Sequence, residues 1–290
     1  MVVLESNNRH AEHTRKSLQY LKDLSASLEG WEFSSEKNGV KLYTKQVEGL
    51  AMPMVRGDTV LQTTEFTPRD VASVATLPGA RKIWDEKYDT SEVKEQYTPS
   101  ETFFWVKLKA PWPVSPRDFA GTAIRDLSDD VCFVVMSSVV DPMIPEVSGC
   151  VRGHIVVSGW KFYKTEGGIG LTYITQVDLA GSIPTSFLKN IQLQVPLCAG
   201  KVAEYIKEYG FPPHTISCTA TMKKETFDHG KREHIIELDG TGGGEWVISR
   251  KMYPNGVKVH IDGQGESQVI DNKLVVKGIQ GPATIKINKA

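Results

Sequence analysis

The histidines are the residues of this chain best suited to hold a metal ion, but their spacing forms no recognised metal-binding motif. His10 and His13 lie three residues apart in a predicted helix, where an exposed polar face accounts for them better than a shared metal. His229 and His234 flank a predicted β segment without a nearby set of cysteines or carboxylates. We therefore predict no metal site.

The serines and the glycine-rich segment also fail to form a catalytic or phosphate-binding motif. Ser182, Ser186 and His214 lack the strand–turn–helix context of a nucleophile elbow, which leaves hydrolysis a weak alternative. The segment TGGGE at 241–245 lies between β segments and predicts a turn rather than a phosphate loop. The sequence predicts no catalytic residue and no cofactor.

Arg81, Trp84 and Asp85 form the one charged cluster with a clear geometric meaning. In a helix, residues three and four apart share a face, so Arg81 and Asp85 can pair while Trp84 packs inward. A structural ion pair over a packing tryptophan explains this pattern, and so does contact with a bound ligand. The residues alone favour the structural pair.

The composition predicts a soluble globular protein without a strong electrostatic partner. Of the 290 residues, 40% are hydrophobic and 24% charged, and the formal net charge is -1. Such a balance does not attract nucleic acid. The first residues lack the basic flank and apolar run of a signal peptide, and no segment has the length of a membrane span, so we expect a cytoplasmic protein. Four dispersed cysteines are then expected to be reduced thiols: Cys132, Cys150, Cys198 and Cys218.

The first ninety residues predict helices on both sides of a pair of strands. Leucines at three- and four-residue steps indicate a helix over 9–29, ended by a glycine. Alternating residues predict strands over 40–46 and 52–62. Thr67 and Pro68 resemble a helix start, and the helical pattern continues to 88 with a break after residue 77.

The rest of the chain predicts a sheet, a helix and a second group of strands. Residues 91–179 contain successive short strands joined by tight turns, which is typical of an antiparallel meander. A helix over 184–209 follows, interrupted at Pro196. From 214 the pattern is again β, with hairpins expected at Asp239-Gly240, at the glycines of 242–244 and at Asn255-Gly256.

A long meander with few helices has to bury an apolar face, either by filling the space with side chains or by leaving a tunnel. The alternation places apolar side chains on one side of each strand. These are Phe104, Val106 and Leu108, then Val134 and Met136, then Ile155 and Val157. The residues alone favour a filled core, since interiors are usually close-packed.

Five segments in register change this preference from a filled core to a tunnel. They are ARKIWD (80–85), APWPVSPRDF (110–119), GCVRGHIVVSGW (149–160), TYITQVDLAGSIP (172–184) and the closing helix. Over about residues 12–212 they resemble the START family of lipid-transfer domains related to steroidogenic acute regulatory protein. The resemblance implies an α+β helix-grip fold, in which a curved antiparallel sheet surrounds a long C-terminal helix and an internal tunnel. We predict this domain over 1–213, followed by a small all-β module over 214–290.

The resemblance also implies a ligand site. In phosphatidylcholine-binding members, the positions matching Arg81 and Asp85 contact the lipid head group. Sterol-binding members resemble one another in a buried acid and an arginine, where this chain has Phe104 and Ala123. The aromatic cage of choline-binding members corresponds to Val106, Phe119 and Val156, of which only one is a ring.

These departures predict an apolar tunnel with little polar recognition. The predicted ligand-binding residues are Arg81, Asp85, Phe104, Val106, Phe119, Ala123, Val134, Met136 and Val156. We predict a monomeric, non-enzymatic carrier of one hydrophobic lipid, such as a sterol, fatty acid, carotenoid or other isoprenoid, or phospholipid, which touches membranes transiently. The apolar loop at 139–147 either docks on membranes or packs on the closing helix. A cyclase or isomerase acting on a polyketide or terpenoid, and a lipid-sensing adaptor, are the alternatives.

Overall fold

The computed structural model describes residues 7–48, 52–181, 183–184, 188, 190–191 and 194–290. Its helices are α1 (Ala11–Leu24), α2 (Pro68–Thr76), α3 (Pro78–Trp84) and α4 (Cys198–Tyr209), the last preceded by a 3₁₀ turn at Val195–Leu197. This turn confirms the interruption predicted at Pro196. Ser182 and Ser186 lie outside the described residues.

A large antiparallel sheet forms the first part of the chain. Its strands are β1 (Glu32–Lys37), β2 (Val40–Lys45), β3 (Met54–Gln62), β4 (Tyr88–Thr98), β5 (Glu101–Leu108), β6 (Arg117–Leu127), β7 (Val131–Ser138), β8 (Val151–Arg152), β9 (His154–Thr165) and β10 (Gly168–Asp178). The spatial order is β1-β2-β3-β10-β9-β7-β6-β5-β4, and the short β8 pairs in parallel with β6. The sheet therefore combines the predicted meander with the first hairpin through the β3–β10 pair.

Helices cover both faces of this sheet. α1 packs Leu21 and Leu24 on one face, which we call the outer face, against Val135 and Ile174. α2, α3 and α4 lie over the opposite, inner face. α2 begins with a capping box, since the Thr67 hydroxyl accepts from the Asp70 amide while the Asp70 carboxylate accepts from the Thr67 amide. The helix start predicted at Thr67 and Pro68 is confirmed.

Two strands were not predicted, and two helices are shorter than expected. α1 ends at Leu24 rather than near 29. The helical pattern assigned through 88 is wrong beyond Trp84, because β4 begins at Tyr88. β1 and β4 are the two edges of the sheet and carry charged residues on their exposed positions, so they lack the apolar alternation that marks a half-buried strand.

Residues 214–290, the C-terminal module, form two four-stranded sheets. The strands are β11 (His214–Cys218), β12 (Thr221–Asp228), β13 (Glu233–Asp239), β14 (Thr241–Val247), β15 (Val257–Asp262), β16 (Glu266–Ile270), β17 (Lys273–Gln280) and β18 (Ala283–Lys289). One sheet has the order β11-β14-β17-β16 and the other β12-β13-β18-β15. The chain crosses between sheets at Asp239-Gly240 and at Asn255-Gly256, so the hairpins expected there are wrong.

The glycine-rich segment 241–245 lies within β14 instead of forming a turn. A bulge separates Gly242 from Gly244 in its pairing with β17. A Cβ atom at Gly243 would lie 2.1 Å from the carbonyl oxygen of Val276, so only glycine allows this close approach. The glycines serve strand packing in the module.

Candidate functional site

A cavity of about 470 Å³ lies between the inner face of the sheet and the helices α3 and α4. Ligand sites in proteins commonly occupy roughly 300–1,000 Å³. The lining comes from α3, from strands β3, β5, β6, β7, β9 and β10, from the loop between β5 and β6, and from the segment leading into α4. This part of the inner face is therefore not filled by side chains.

One wall of the cavity is apolar. Val106 and Leu108 project from β5, and Val106 is the cross-strand partner of Phe119 on β6. Met136 on β7 and Ile155 on β9 continue the same surface. These residues belong to a buried cluster whose side chains contact one another, so the wall is a continuous hydrocarbon surface.

α3 contributes a charged pair to the cavity. The Arg81 Nε atom lies 2.9 Å from an Asp85 carboxylate oxygen, as the four-residue spacing predicts. The Arg81 guanidinium also lies 5.2 Å from the centre of the Tyr88 ring. Burial raises the pKa of Tyr88 and keeps its hydroxyl protonated. The pair is formed locally, between α3 and the residue that follows it, and both side chains line the cavity.

A second polar group lies on the floor formed by β9 and β10. The Tyr173 hydroxyl is 2.9 Å from the Ser158 hydroxyl, and both residues line the cavity. Burial raises the pKa of Tyr173 to about 12 and raises the pKa of the neighbouring Cys198 thiol well above its ordinary value. Both groups are neutral at physiological pH, so Cys198 is a poor nucleophile.

The rim of the cavity carries lysines and an exposed tryptophan. Lys87, Lys109 and Lys201 are among the lining residues, and Lys201 pairs with Glu86 at 2.7 Å. The loop between β5 and β6 lines the cavity with Ala110 and Val114. Trp112, two residues from each of them, is 93% exposed.

Five of the residues predicted from sequence lie around this one cavity. They are Arg81, Asp85, Val106, Phe119 and Met136. The other four are not part of the lining. Phe104 and Ala123 belong to the same apolar cluster as Val106 and Tyr88, and Val134 belongs to the main core, opposite Trp160 in the β7–β9 pair. Val156 lies at a bulge of β9.

That bulge corrects the assignment of side chains on β9. The pairing with β10 advances from Val157 opposite Gln176 to Ile155 opposite Val177, which leaves Val156 as the extra residue. Ile155 lines the cavity, whereas Val157 packs with Leu21 on the outer face. The prediction that Ile155 and Val157 share a side is therefore wrong.

Several lining residues were not predicted because they depend on register. Ser158 and Tyr173 come together only when β9 and β10 pair, and a hydroxyl on each strand has no distinctive sequence pattern. The resemblance placed Cys198 in the closing helix without identifying it as part of the site. Ile155, which the alternation placed on the same side as Val157, reaches the wall because the bulge in β9 separates the faces of these two residues.

The loop at 139–147 packs near the start of α1. Asp141 contacts Arg9 and His10 at the start of α1, and Ile144 is buried with Phe103. Val140 is 97% exposed at the tip. Part of the predicted closing helix lies outside the described residues. Packing of this loop on that helix and its docking on membranes therefore both stay predictions.

The part of the chain that the structure describes contains neither a metal-binding cluster nor a membrane-spanning helix. Among those residues, no three of His, Cys, Asp and Glu are grouped so as to hold a metal ion. None of the described helices combines the length and apolar character needed to cross a bilayer.

Comparison with known families identifies the first part of the chain. Residues 14–195 match the START domain. This chain belongs to the START domain family, and the helix-grip fold and the resemblance seen in the sequence are confirmed.

Individual relatives agree with this assignment. An uncharacterized protein of Pseudomonas aeruginosa is 27% identical over 188 residues, which are 60% of this chain and 84% of that protein. The phosphatidylcholine transfer protein of Bos taurus is 29% identical over 147 residues, covering 49% of this chain and 66% of that protein. The human StAR-related lipid transfer protein 5 superposes with a TM-score of 0.62 at 19% identity, covering 68% of this chain and 96% of its own, which supports the fold alone.

An enzyme is also among the relatives. The acetyl-coenzyme A thioesterase of Mus musculus is 24% identical over 179 residues, which are 60% of this chain but only 31% of the mouse protein. The chain thus spans about a third of that relative's length.

Proposed function

We propose that this protein binds one hydrophobic lipid in the cavity and carries it between membranes without altering it chemically. The observation that carries this proposal is the unfilled space between the sheet and α4, with a continuous apolar wall on β5, β6, β7 and β9. Each methylene moved from water to such a wall gains about 0.8 kcal/mol. A long acyl or isoprenoid chain is therefore held by burial alone.

The polar groups of the cavity favour a ligand with a small polar end. Arg81 is already paired with Asp85, and Tyr173 with Ser158, so neither pair leaves a buried charge that the ligand has to neutralise. Phe104 and Ala123 lie where sterol-binding relatives have charges, and neither lines the cavity. We propose a sterol, fatty acid or isoprenoid held chiefly by shape.

The chemistry of the cavity favours a carrier over an enzyme. The side chains best able to act as acid, base or nucleophile are Asp85, Tyr173 and Cys198, and each is restrained. Asp85 is paired, while burial keeps the other two protonated and uncharged. Because one relative is a thioesterase, hydrolysis is the enzymatic reaction that an experiment has to exclude.

The rim supports brief contact with a membrane surface. Trp112 combines an apolar ring with a polar N–H group, which suits the interfacial layer of a bilayer. Lys87, Lys109 and Lys201 at the same opening are suited to anionic head groups. We propose that the protein approaches a membrane with this rim and transfers its ligand there.

Extraction and transfer measurements test the proposal together. The purified protein is extracted with organic solvent for mass spectrometry, then incubated with vesicles that contain a fluorescent fatty acid or sterol. Uptake and delivery of the unmodified probe support a carrier. A probe recovered with a changed mass indicates an enzyme, and no binding of any lipid class excludes both functions.

A further inference from the structure

The last turns of α4 are held by the C-terminal module. The Tyr205 hydroxyl lies 2.7 Å from Nδ1 of His229, in the turn between β12 and β13. In the same turn, an Arg232 guanidinium nitrogen is 2.7 Å from His229 Nδ1, and its Cζ atom lies 5.3 Å from the centre of the Tyr209 ring. Aromatic and cation–π contacts thus hold one side of α4 against the module.

The turn adopts an unusual backbone to make these contacts. Arg232 has a φ angle of +55°, in the left-handed region that non-glycine residues seldom adopt. Such a conformation persists when surrounding contacts fix it. Its guanidinium reaches back over α4 while the adjacent Lys231 is exposed.

The chain that leaves α4 is fixed as well. Gly210 has a φ angle of +77°, and a Cβ atom there would lie 2.3 Å from the Ser249 hydroxyl of the module. The Pro212 carbonyl accepts a hydrogen bond from the Ser73 hydroxyl of α2. His214 Nε2 lies 2.8 Å from the Asp70 carboxylate, and both residues are buried. α4 therefore cannot leave the cavity without breaking contacts at its C-terminal end.

The module also touches the helix that carries the charged pair. A Cβ atom at Gly79, the second residue of α3, would lie 1.7 Å from the Phe227 carbonyl oxygen on β12. Residues of α2, α4 and the module share one continuous core, exemplified by Val74, Val202 and Phe227. Both helices bordering the cavity are thus packed against residues 214–290.

We infer that the C-terminal module is an intramolecular clamp that holds α3 and α4 over the cavity and sets how fast a bound lipid leaves. This inference rests on the proposed carrier function, because lipid release is the property that the clamp controls. As a clamp, the module takes part in ligand retention. A module that acted only as a tethered adaptor would leave α4 free.

The double substitution His229→Ala with Arg232→Ala tests the clamp in the full-length chain. We expect hydrogen exchange of the α4 amides to speed up at least about tenfold, because the variant loses the Tyr205 hydrogen bond, the ring contacts of His229 and the cation–π contact of Arg232. Release of a fluorescent fatty acid preloaded from vesicles should accelerate to a similar extent. Tyr205→Phe, a milder variant, should give a smaller effect in the same direction.

Two controls separate the clamp from general destabilisation. Lys231→Ala alters the same turn without touching α4 and should match the wild type in both measurements. The α1 amides on the outer face provide the internal reference and should keep their protection. Unchanged α4 exchange and lipid release in the double variant would overturn the inference, as would equal loss of protection in α1 and α4. If the wild-type chain takes up no lipid, the carrier function fails, and α4 exchange still measures the clamp.

Discussion

Trp84 joins the cavity to the main core. Its indole N–H donates to the Val74 carbonyl at 3.0 Å, and its ring packs edge-on against Trp160 at 6.1 Å between centroids. Replacing Trp84 with Ala leaves a void and an unpaired carbonyl, so we expect a loss of about 3–5 kcal/mol in the free energy of unfolding. Denaturant titration measures this loss, and a change below about 1 kcal/mol would contradict the packing described.

A substitution at Val106 tests whether the lipid binds against the apolar wall of the cavity. It lies at the centre of the apolar wall on β5, so Val106→Trp should fill the space that a lipid would occupy. We expect strongly reduced lipid uptake from vesicles and a cooperative unfolding transition like that of the wild type. Val93→Trp, at an exposed position of the edge strand β4, should bind lipid normally. Full uptake by the Val106 variant would mean that lipid binds elsewhere.

At this scale the sequence predicted the ion pair and part of the wall, but not the floor. Arg81 and Asp85 depend only on local helical spacing, which is readable without tertiary structure. Val106 and Met136 follow from alternation along single strands, whereas Phe119 was indicated only by the family resemblance. Ser158 can be placed in the site only when the pairing of the strands is known. Val156 shows that one bulge is enough to make the predicted face of a side chain wrong.

The loop between β5 and β6 is expected to take part in binding to membranes. Its tip residue Trp112 has almost no contact to lose, so Trp112→Ser should leave the thermal stability unchanged. We expect weaker binding to anionic vesicles and slower lipid transfer, with the affinity for lipid in detergent unaltered. Co-sedimentation measures vesicle binding. Equal sedimentation of variant and wild type would exclude this loop as the docking element.

His229, in the β12–β13 turn, is expected to make the stability of the protein depend on pH. Burial, with a contribution from Arg232, lowers the pKa of His229 from 6.5 to about 4. The unfolded chain therefore binds a proton at this site between about pH 6.5 and 4 while the folded chain does not, so stability decreases as the pH falls through that range. Urea unfolding of the wild type at pH 7 and pH 5 should show this decrease.

The matching variant isolates the contribution of this histidine. His229→Asn has no imidazole to titrate, so the difference in its stability between pH 7 and pH 5 should be smaller than in the wild type. An identical pH dependence in both proteins would show that His229 is free to protonate in the folded state.

Elements with a strong local pattern were predictable, and edge or crossing elements were not. The start of α2 carries its own capping box at Thr67 and Asp70. β4 has polar residues on its exposed side, so its place in the sheet depends on pairing with β5. In the module, Asp239-Gly240 has the composition of a hairpin turn, but tertiary packing places β13 and β14 in different sheets.

The molecule as a whole combines the START fold, which the sequence indicated, with a C-terminal module whose packing was less predictable. Alternation along strands does not distinguish a hollow sheet from a filled one, and only the START-like segments in register indicated a tunnel. Packing of the module against α3 and α4 depends on contacts such as Gly79 with Phe227, which no local pattern reveals. The same contacts are the basis of the role in lipid retention that we infer for the module.

Native mass spectrometry of the freshly purified protein tests the central claim most directly. A hollow cavity of this size predicts a complex of one chain with one lipid, which is lost on organic extraction and restored by incubation with vesicles. A single species at the mass of the bare chain, both before and after that incubation, would contradict the account.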